Sequence, residues 1–283
     1  MTIKDLQTEL SCRLQPLYDP REAAAIASLY VQARLGLERY ELVLRRTEPV
    51  PERLLPVFRS DMERMAEGCP VQYVLGGTEF YGLPFEVSPA VLIPRPETEE
   101  LVQMVTEKCK GRGVSLWDVG TGSGCIAVSL AKMLPDAAVF ATDISEEALE
   151  VARRNAERNG VTVNFACHDM RDIAHLPFGN TRFDVLVSNP PYIPVADRPS
   201  MHRNVTGYEP ATALFVPDDD KLWCYAAIAR IGQRVLKPGG MLFVETYHDF
   251  HTELVEMFRK SGFSDIRSLH DLNGRPRFLT AVV

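Results

Sequence analysis

The spacing of apolar and polar positions changes character twice along this chain. From residue 1 to about 70 only helical patterns appear. Ala23-Ala-Ala-Ile-Ala-Ser-Leu-Tyr-Val-Gln-Ala-Arg-Leu35 is rich in helix formers and follows Asp19-Pro20, a capping residue and a proline suited to a first turn. Gly36 ends it, and shorter helical patterns follow at 37–45 and 52–66. At Gly76-Gly77 the texture changes. Thr78-Glu-Phe-Tyr-Gly82 and Leu83-Pro-Phe-Glu-Val-Ser88 read as two short strands joined around Gly82, a hairpin linker. Pro94 and Pro96 keep the next stretch extended, and Glu97 to Lys110 then reads as a helix.

From 114 onward strands and helices alternate. Strands are expected at 115–119, 138–142, 162–166, 183–188 and 240–245, with helices at 124–134, 145–158 and 221–236. Such alternation implies a mostly parallel sheet covered on both faces. The end differs: a helix at 249–261, a strand at 263–269 and the run Arg277-Phe-Leu-Thr-Ala-Val-Val283, which can close as an antiparallel pair. The pattern is an α/β protein with a small all-α N-terminal domain (1–75), a β-hairpin linker (76–93) and an α/β domain (94–283).

Composition narrows the partners. Hydrophobic residues make up 46% and charged residues 24%, the balance of a soluble globular protein. The net charge of −7 argues against broad binding to a phosphate backbone, so a nucleic-acid partner is not expected. The first 70 residues carry ten Lys or Arg and eleven Asp or Glu, which leaves no basic stripe there. No apolar run is long enough to span a bilayer, and Met1-Thr-Ile-Lys-Asp-Leu6 is polar where a signal peptide is apolar. A cytoplasmic protein without a membrane partner is expected. None of the six cysteines forms a C-x-x-C pair, and His248 and His251 have no evident third ligand, so no metal is expected either.

Two loops carry chemistry. Leu116-Trp-Asp-Val-Gly-Thr-Gly-Ser-Gly124 runs from a strand into a glycine-rich turn and a helix. Glycines let the backbone approach a ligand closely. The spacing is G-x-G-x-G rather than the dinucleotide G-x-G-x-x-G, and Asp118 sits where a cationic amino group is welcome and a pyrophosphate is not. Asp143 ends the next strand, where a carboxylate can accept ribose hydroxyls. Asp169 and Met170 follow the third strand, where they fit equally an adenine contact or a surface aspartate beside a core methionine. Together these fit S-adenosylmethionine better than NAD.

The second loop is Asn189-Pro190-Pro191-Tyr192, after the buried-strand run Phe183-Asp-Val-Leu-Val-Ser188. It suits chemistry on a planar, amide-like nitrogen, whose delocalised lone pair makes it a poor nucleophile. The Asn189 side-chain oxygen and the Pro190 carbonyl can each accept one of its N–H groups, which favours a localised lone pair. The Tyr192 ring can stack on the flat group. Both loops fall at carboxyl ends of parallel strands and therefore share one crevice.

The same residues resemble the release factor glutamine methyltransferase family (the PrmC/HemK type). The matching stretches are Pro70-Val-Gln-Tyr-Val-Leu-Gly76, Glu79-Phe-Tyr-Gly82, Leu92-Ile-Pro-Arg-Pro-Glu-Thr-Glu99, Asp118 to Gly124, Thr142-Asp-Ile-Ser145, Ser188 to Ile193 and Tyr208-Glu-Pro210. The Ile-Pro-Arg-Pro-Glu-Thr-Glu run is the most specific. The resemblance implies a Rossmann-like class I methyltransferase domain with a seven-stranded sheet, behind a helical substrate-recognition domain. It implies S-adenosylmethionine as donor and, as substrate, the glutamine of the Gly-Gly-Gln loop of class I peptide chain release factors. Asp118, Gly120, Thr121, Gly122, Ser123, Gly124, Asp143, Ile144, Met170 and Asn189 would line the donor site, with the loop 94–98, Glu97 and Thr98 in it, closing near its methionine moiety. Asn189, Pro190, Pro191 and Tyr192 would hold the glutamine.

The chain departs from the family pattern at Met170, at Val216-Pro-Asp-Asp-Asp220 and at Thr246-Tyr-His-Asp249, after the strand ending at Glu245. The stretch from Ile193 to Asp220 is long for a loop without regular structure, which favours a binding role and draws attention to Arg198, His202 and Arg203. Other readings are a methyltransferase acting on an exocyclic base nitrogen of RNA or DNA, and a non-catalytic S-adenosylmethionine-binding module. A nicotinamide dehydrogenase is disfavoured by the loop spacing and Asp118.

Overall fold

A computed structural model describes all 283 residues. In chain order the elements are α1 (Ile3–Leu14), α2 (Pro20–Leu35), α3 (Arg39–Leu44), α4 (Leu55–Ala66), α5 (Val71–Leu75), β1 (Gly77–Phe80), β2 (Leu83–Glu86), α6 (Pro96–Cys109), β3 (Ser115–Val119), α7 (Cys125–Met133), β4 (Ala138–Asp143) and α8 (Glu146–Asn159). They continue as β5 (Asn164–Cys167), β6 (Phe183–Ser188), β7 (Ile193–Pro194), α9 (Arg203–Thr206), α10 (Ala211–Leu214), β8 (Phe215–Val216), α11 (Trp223–Val235), β9 (Leu236–Glu245), α12 (His251–Lys260), β10 (Ser264–His270) and β11 (Pro276–Val282). Two compact units result: Met1–Gly77 with His202–Tyr208, and Thr78–Met201 with Glu209–Val283.

The first unit is helical. Leu6, Leu10 and Leu14 of α1 recur every fourth residue, so they share one buried face, as do Ala23, Ala27, Tyr30 and Val31 of α2. Asp19 caps α2 by accepting from the Arg21 and Glu22 amides, and Gly36 closes it in the left-handed conformation. A buried carboxylate, Asp61 of α4, accepts from the Tyr30 hydroxyl at 2.7 Å and the Arg34 Nε at 2.9 Å. The returning segment is anchored within this unit. The His202 ring stacks on Tyr18 at 4.9 Å, and Arg203 donates to the Glu67 carbonyl at 2.8 Å. His202 and Arg203 are thus engaged inside the molecule. The expected structureless loop from 193 to 220 is instead built from β7, a 3-10 turn, α9, α10 and β8, with β7 and β8 paired in parallel. Residues His202–Tyr208 thus cluster with Met1–Gly77.

The second unit is a seven-stranded sheet in the order β10-β11-β9-β6-β3-β4-β5. The five strands from β9 to β5 are parallel, and β11 and β10 close the edge antiparallel. Alternate residues feed two cores. Val185 and Val187 of β6 face one with Leu116, Ala141 and Phe243, while Phe183 and Leu186 face the other with Trp117, Leu242 and Val244. The sheet spreads from β3 to β4 and β5 on one side and to β6 and β9 on the other. The switch point therefore lies between β3 and β6, where open α/β sheets take their ligands.

Two elements differ from expectation. β9 begins at Leu236 rather than 240, because Leu236 already pairs with Phe183 and the Pro-Gly-Gly that follows is absorbed as an irregularity before Met241 meets Val185. The hairpin expected as a linker is part of the second unit's packing. Phe80 and Phe85 are buried in its core, Asn155 of α8 bonds both the amide and the carbonyl of Glu86, and Arg154 pairs with the Glu86 carboxylate.

Candidate active site

The glycine loop is fixed from behind. The amides of Gly120 and Thr121 both donate to the Thr142 carbonyl at 2.9 Å, and the Gly122 amide donates to Asp143 Oδ2 at 2.8 Å. Asp143 Oδ1 accepts from the Ser145 amide at 3.0 Å, so one carboxylate holds both the loop and the turn into α8. Burial raises its pKa, and these amide contacts oppose that rise. Each oxygen keeps a second lone pair for a hydroxyl donor. Gly120 has φ +75, and a Cβ there would come 3.7 Å from the Met170 methyl. Gly124 has φ +79, and its Cβ would meet Ala152 Cβ at 3.0 Å. The third glycine therefore serves the approach of α7 to α8, while the first two serve the cavity.

Asp118 lies beneath this loop, fully buried. Its Oδ2 accepts from the Thr121 hydroxyl at 2.6 Å, while Oδ1 is buried and makes no hydrogen bond. Burial, seconded by the neighbouring Asp143 charge, pushes its pKa up to about 7, and the Thr121 hydroxyl and, more weakly, the Ala127 amide oppose this. An unmatched buried acceptor is costly unless a donor reaches it.

At the other strand end the Ser188 hydroxyl donates to the Val119 carbonyl at 2.5 Å, tying the end of β6 to the end of β3. Asn189 follows, and its Nδ2 donates to Thr98 Oγ1 at 3.1 Å. Thr98 Oγ1 donates to Glu245 Oε2 at 2.7 Å, and the Tyr192 hydroxyl donates to Glu245 Oε1 at 3.0 Å. Burial pushes the Glu245 carboxyl up, while the Thr98 and Tyr192 hydroxyls and the charge of Arg277 pull it back.

A cavity of about 290 Å³ runs between these features, close to the lower end of ligand-sized pockets. Of the expected donor-site residues it is lined by Thr98, Gly120, Thr121, Gly122, Ser123, Asp143, Ile144 and Met170; Asn189 and Pro191 line it too. Asp118, Gly124, Pro190 and Tyr192 stand behind the lining, as supports for it. Glu97 is not part of the wall either. It sits on the first turn of α6 near Glu245 and Arg277, whose charges it influences. Of the expected closing loop 94–98, Pro94, Arg95 and Thr98 line the cavity and Glu97 does not, because successive residues of a helix start point in different directions. Asp169 lines the cavity with both oxygens already held by Arg171. The Tyr192 ring lies 6.0 Å from Tyr247, whose hydroxyl donates to Asp197.

Sequence reasoning did not single out three contributors. Trp223, the first residue of α11, lines the cavity and carries the Arg171 guanidinium 5.5 Å above its ring. Glu209 is buried and accepts from the Ile93 amide at 3.1 Å and Arg95 at 2.6 Å, which pins the Pro94-Arg95 part of the wall. Glu245 entered only as a strand end. The Tyr-Glu-Pro stretch at 208–210 was a usable signal for Glu209; Trp223 has none in the sequence.

The residues present fit S-adenosylmethionine. The two glycines leave the floor open, Asp143 retains acceptor capacity, and the Asp118 carboxylate lies behind the loop, where its charge favours a cation in the cavity.

Comparison with known proteins agrees with this. A model of the methyltransferase domain matches residues 110–270, and one of the PrmC N-terminal domain matches residues 5–76. The chain is 39% identical to a release factor glutamine methyltransferase of Bacteroides thetaiotaomicron, covering 95% of each chain. It is 37% identical to the protein of that name from Flavobacterium psychrophilum, over 99% of this chain and 98% of that one. Among solved structures, the Thermus thermophilus 16S rRNA N2 G1207 methyltransferase in complex with AdoMet and guanosine has a TM-score of 0.53 at 20% identity. It covers 73% of this chain and 49% of that one, a likeness of fold.

Proposed function

The chain belongs to the release factor glutamine methyltransferase family, and from that we infer its reaction: methylation, by S-adenosylmethionine, of the side-chain amide nitrogen of the glutamine in the Gly-Gly-Gln motif of class I peptide chain release factors. One observation above all supports the reading. The glycine loop after β3 and Asn189 after β6 line the same cavity at the switch point of the sheet.

S-Adenosylmethionine, when bound, supplies a methyl group on a positively charged sulfur. Asp143 and Ile144, the loop from Gly120 to Ser123 and Met170 would hold that donor, with Asp118 behind. The Asn189 side-chain oxygen accepts one N–H of the substrate amide and the Pro190 carbonyl accepts the other. Tyr192 flanks the amide with its ring while Glu245 holds its hydroxyl. These contacts orient the nitrogen and favour a localised lone pair. No general base is required before transfer, because the methylated amide sheds its proton readily. Catalysis is then positioning and exclusion of water.

The helical unit recruits the release factor in this reading. No helix is long and apolar enough to cross a membrane, which is compatible with work on a translation factor in the cytoplasm. The test is mass spectrometry of the host's release factor after incubation with the protein and S-adenosylmethionine. One added methyl on the glutamine of Gly-Gly-Gln, absent with Asn189→Ala, is the expected result. An unmodified peptide alongside intact donor binding overturns the substrate, and strongly salt-sensitive RNA binding would then favour a base nitrogen.

A further inference from the structure

The acceptor end of the cavity contains a polar chain that fixes which way Asn189 faces. Its inner members are buried, Thr98 being 2% exposed and Glu245 1%, while Asn189 and Tyr192 are half-buried. Glu245 is the last residue of β9, Thr98 lies in the first turn of α6, and Asn189 follows β6. Residues far apart in sequence thus meet at one corner of the sheet. The chain reads Asn189 Nδ2 to Thr98 Oγ1 (3.1 Å), Thr98 Oγ1 to Glu245 Oε2 (2.7 Å), and Tyr192 hydroxyl to Glu245 Oε1 (3.0 Å).

The direction of each bond follows from proton supply. While Glu245 is ionised, the form that the Thr98 and Tyr192 hydroxyls and the Arg277 charge favour against burial, its carboxylate only accepts, so both of its neighbours must donate to it. A threonine hydroxyl has a single proton. Once that proton is committed to Glu245, Thr98 can only accept from its other neighbour. Asn189 must then turn its NH₂ toward Thr98, which points its Oδ1 the opposite way. An asparagine amide is otherwise nearly symmetric in shape and can flip between two orientations. Only one of them presents an acceptor to an incoming N–H group.

We propose that Thr98 and Glu245 are positioning residues: Glu245, acting through the Thr98 hydroxyl, locks the Asn189 amide with its oxygen free to accept from the substrate amide. Tyr192 completes the lock by occupying the second carboxylate oxygen. Thr98 borders the cavity, yet its hydroxyl is spent on Asn189 and Glu245, so its main service is to the acceptor side and not to the donor. This rests on the reading of Asn189 given above.

The test uses the full-length protein with release factor and S-adenosylmethionine. It measures kcat, KM for release factor and donor affinity for the wild type, Thr98→Val, Thr98→Ser and Glu245→Gln. Thr98→Val keeps the shape and removes the hydroxyl. It should lower kcat by up to about 10²-fold, the scale of a small misplacement, with donor affinity unchanged. Thr98→Ser should recover most of that loss. Glu245→Gln can offer an N–H to Thr98 in place of an acceptor, and should lower kcat in the same way. Thr98→Val turning over like the wild type overturns the proposal. So does a fall in donor affinity that matches the fall in turnover, since Thr98 would then be a donor contact. A wild type that leaves the glutamine unmethylated, by contrast, strikes the reaction assigned above before any variant is compared.

Discussion

Asp118 and Glu245 are both buried carboxylates on strands of one sheet, and they are finished differently. Glu245 has each oxygen taken by a hydroxyl of its own chain. Asp118 has one oxygen taken by Thr121 and one left without a partner. A satisfied carboxylate contributes order, because everything bonded to it is pointed in a set direction. An unsatisfied one is kept at a cost, and leaves its charge behind the glycine loop to act on what occupies the cavity. In the proposed assignment the acceptor end of the cavity is therefore prearranged, whereas the donor end offers an uncompensated charge behind its wall.

The sharpest way to break this contrast is Asn189→Ala. Turnover should fall on the order of 10²-fold or more while donor affinity holds, measured as methyl incorporation beside a donor titration. If both fall together, the two ends are not separate. Next comes Asp118→Asn, which keeps the size and removes the charge. Donor affinity should weaken by about 10-fold, the charge acting through the glycine loop and not by contact, with kcat at saturating donor largely kept.

A pH series sharpens the same point. Burial holds the Asp118 pKa in the folded protein up to about 7, above its ordinary 3.8. The empty folded state thus binds more protons than the unfolded chain between those values. Its stability contribution from Asp118 is lost as pH rises through that window and levels off above about 7. A cationic donor prefers the ionised form, so its affinity should rise as pH rises, by about tenfold from pH 6 to 8. Asp118→Asn should flatten that profile; a wild-type profile that is already flat removes Asp118 from donor binding.

The smallest effect is expected from Tyr192→Phe. It withdraws one of the two donors from Glu245 and leaves the other. Denaturant unfolding should show a loss of about 1–2 kcal/mol, with a modest drop in kcat. A drop as large as that of Asn189→Ala would give the Tyr192 hydroxyl a direct part in the reaction.

Much of this was legible before any coordinates. The strand runs at 115–119 and 183–188 are observed with those bounds, because a strand buried on both faces leaves a continuous apolar run. Asp19-Pro20 and Gly36 marked both ends of α2, since capping acts over neighbouring residues only. The two ligand loops were legible for the same reason, each being a local turn at a strand end. Beyond that reach the reading fails. Nothing adjacent to Glu245 in the sequence says that it meets Thr98, which is 147 residues away. Nor does Thr78–Ser88 reveal that its phenylalanines enter the core beside α8 rather than linking two domains.

The sequence by itself determined the alternation of strands and helices, the glycine loop, the Asn-Pro-Pro-Tyr turn and the family resemblance, all of which are written in contiguous residues. The tertiary structure alone decided which oxygen of which carboxylate has a partner. It also decided that Glu97 stands outside the wall that Thr98 joins, and that residues 202–208 pack with the helices of the first unit. Chain-local signals fix backbone geometry. The pairing of buried polar groups depends on which distant segments the sheet brings within about 3 Å of each other, and each such group must find its partner there or be left without one.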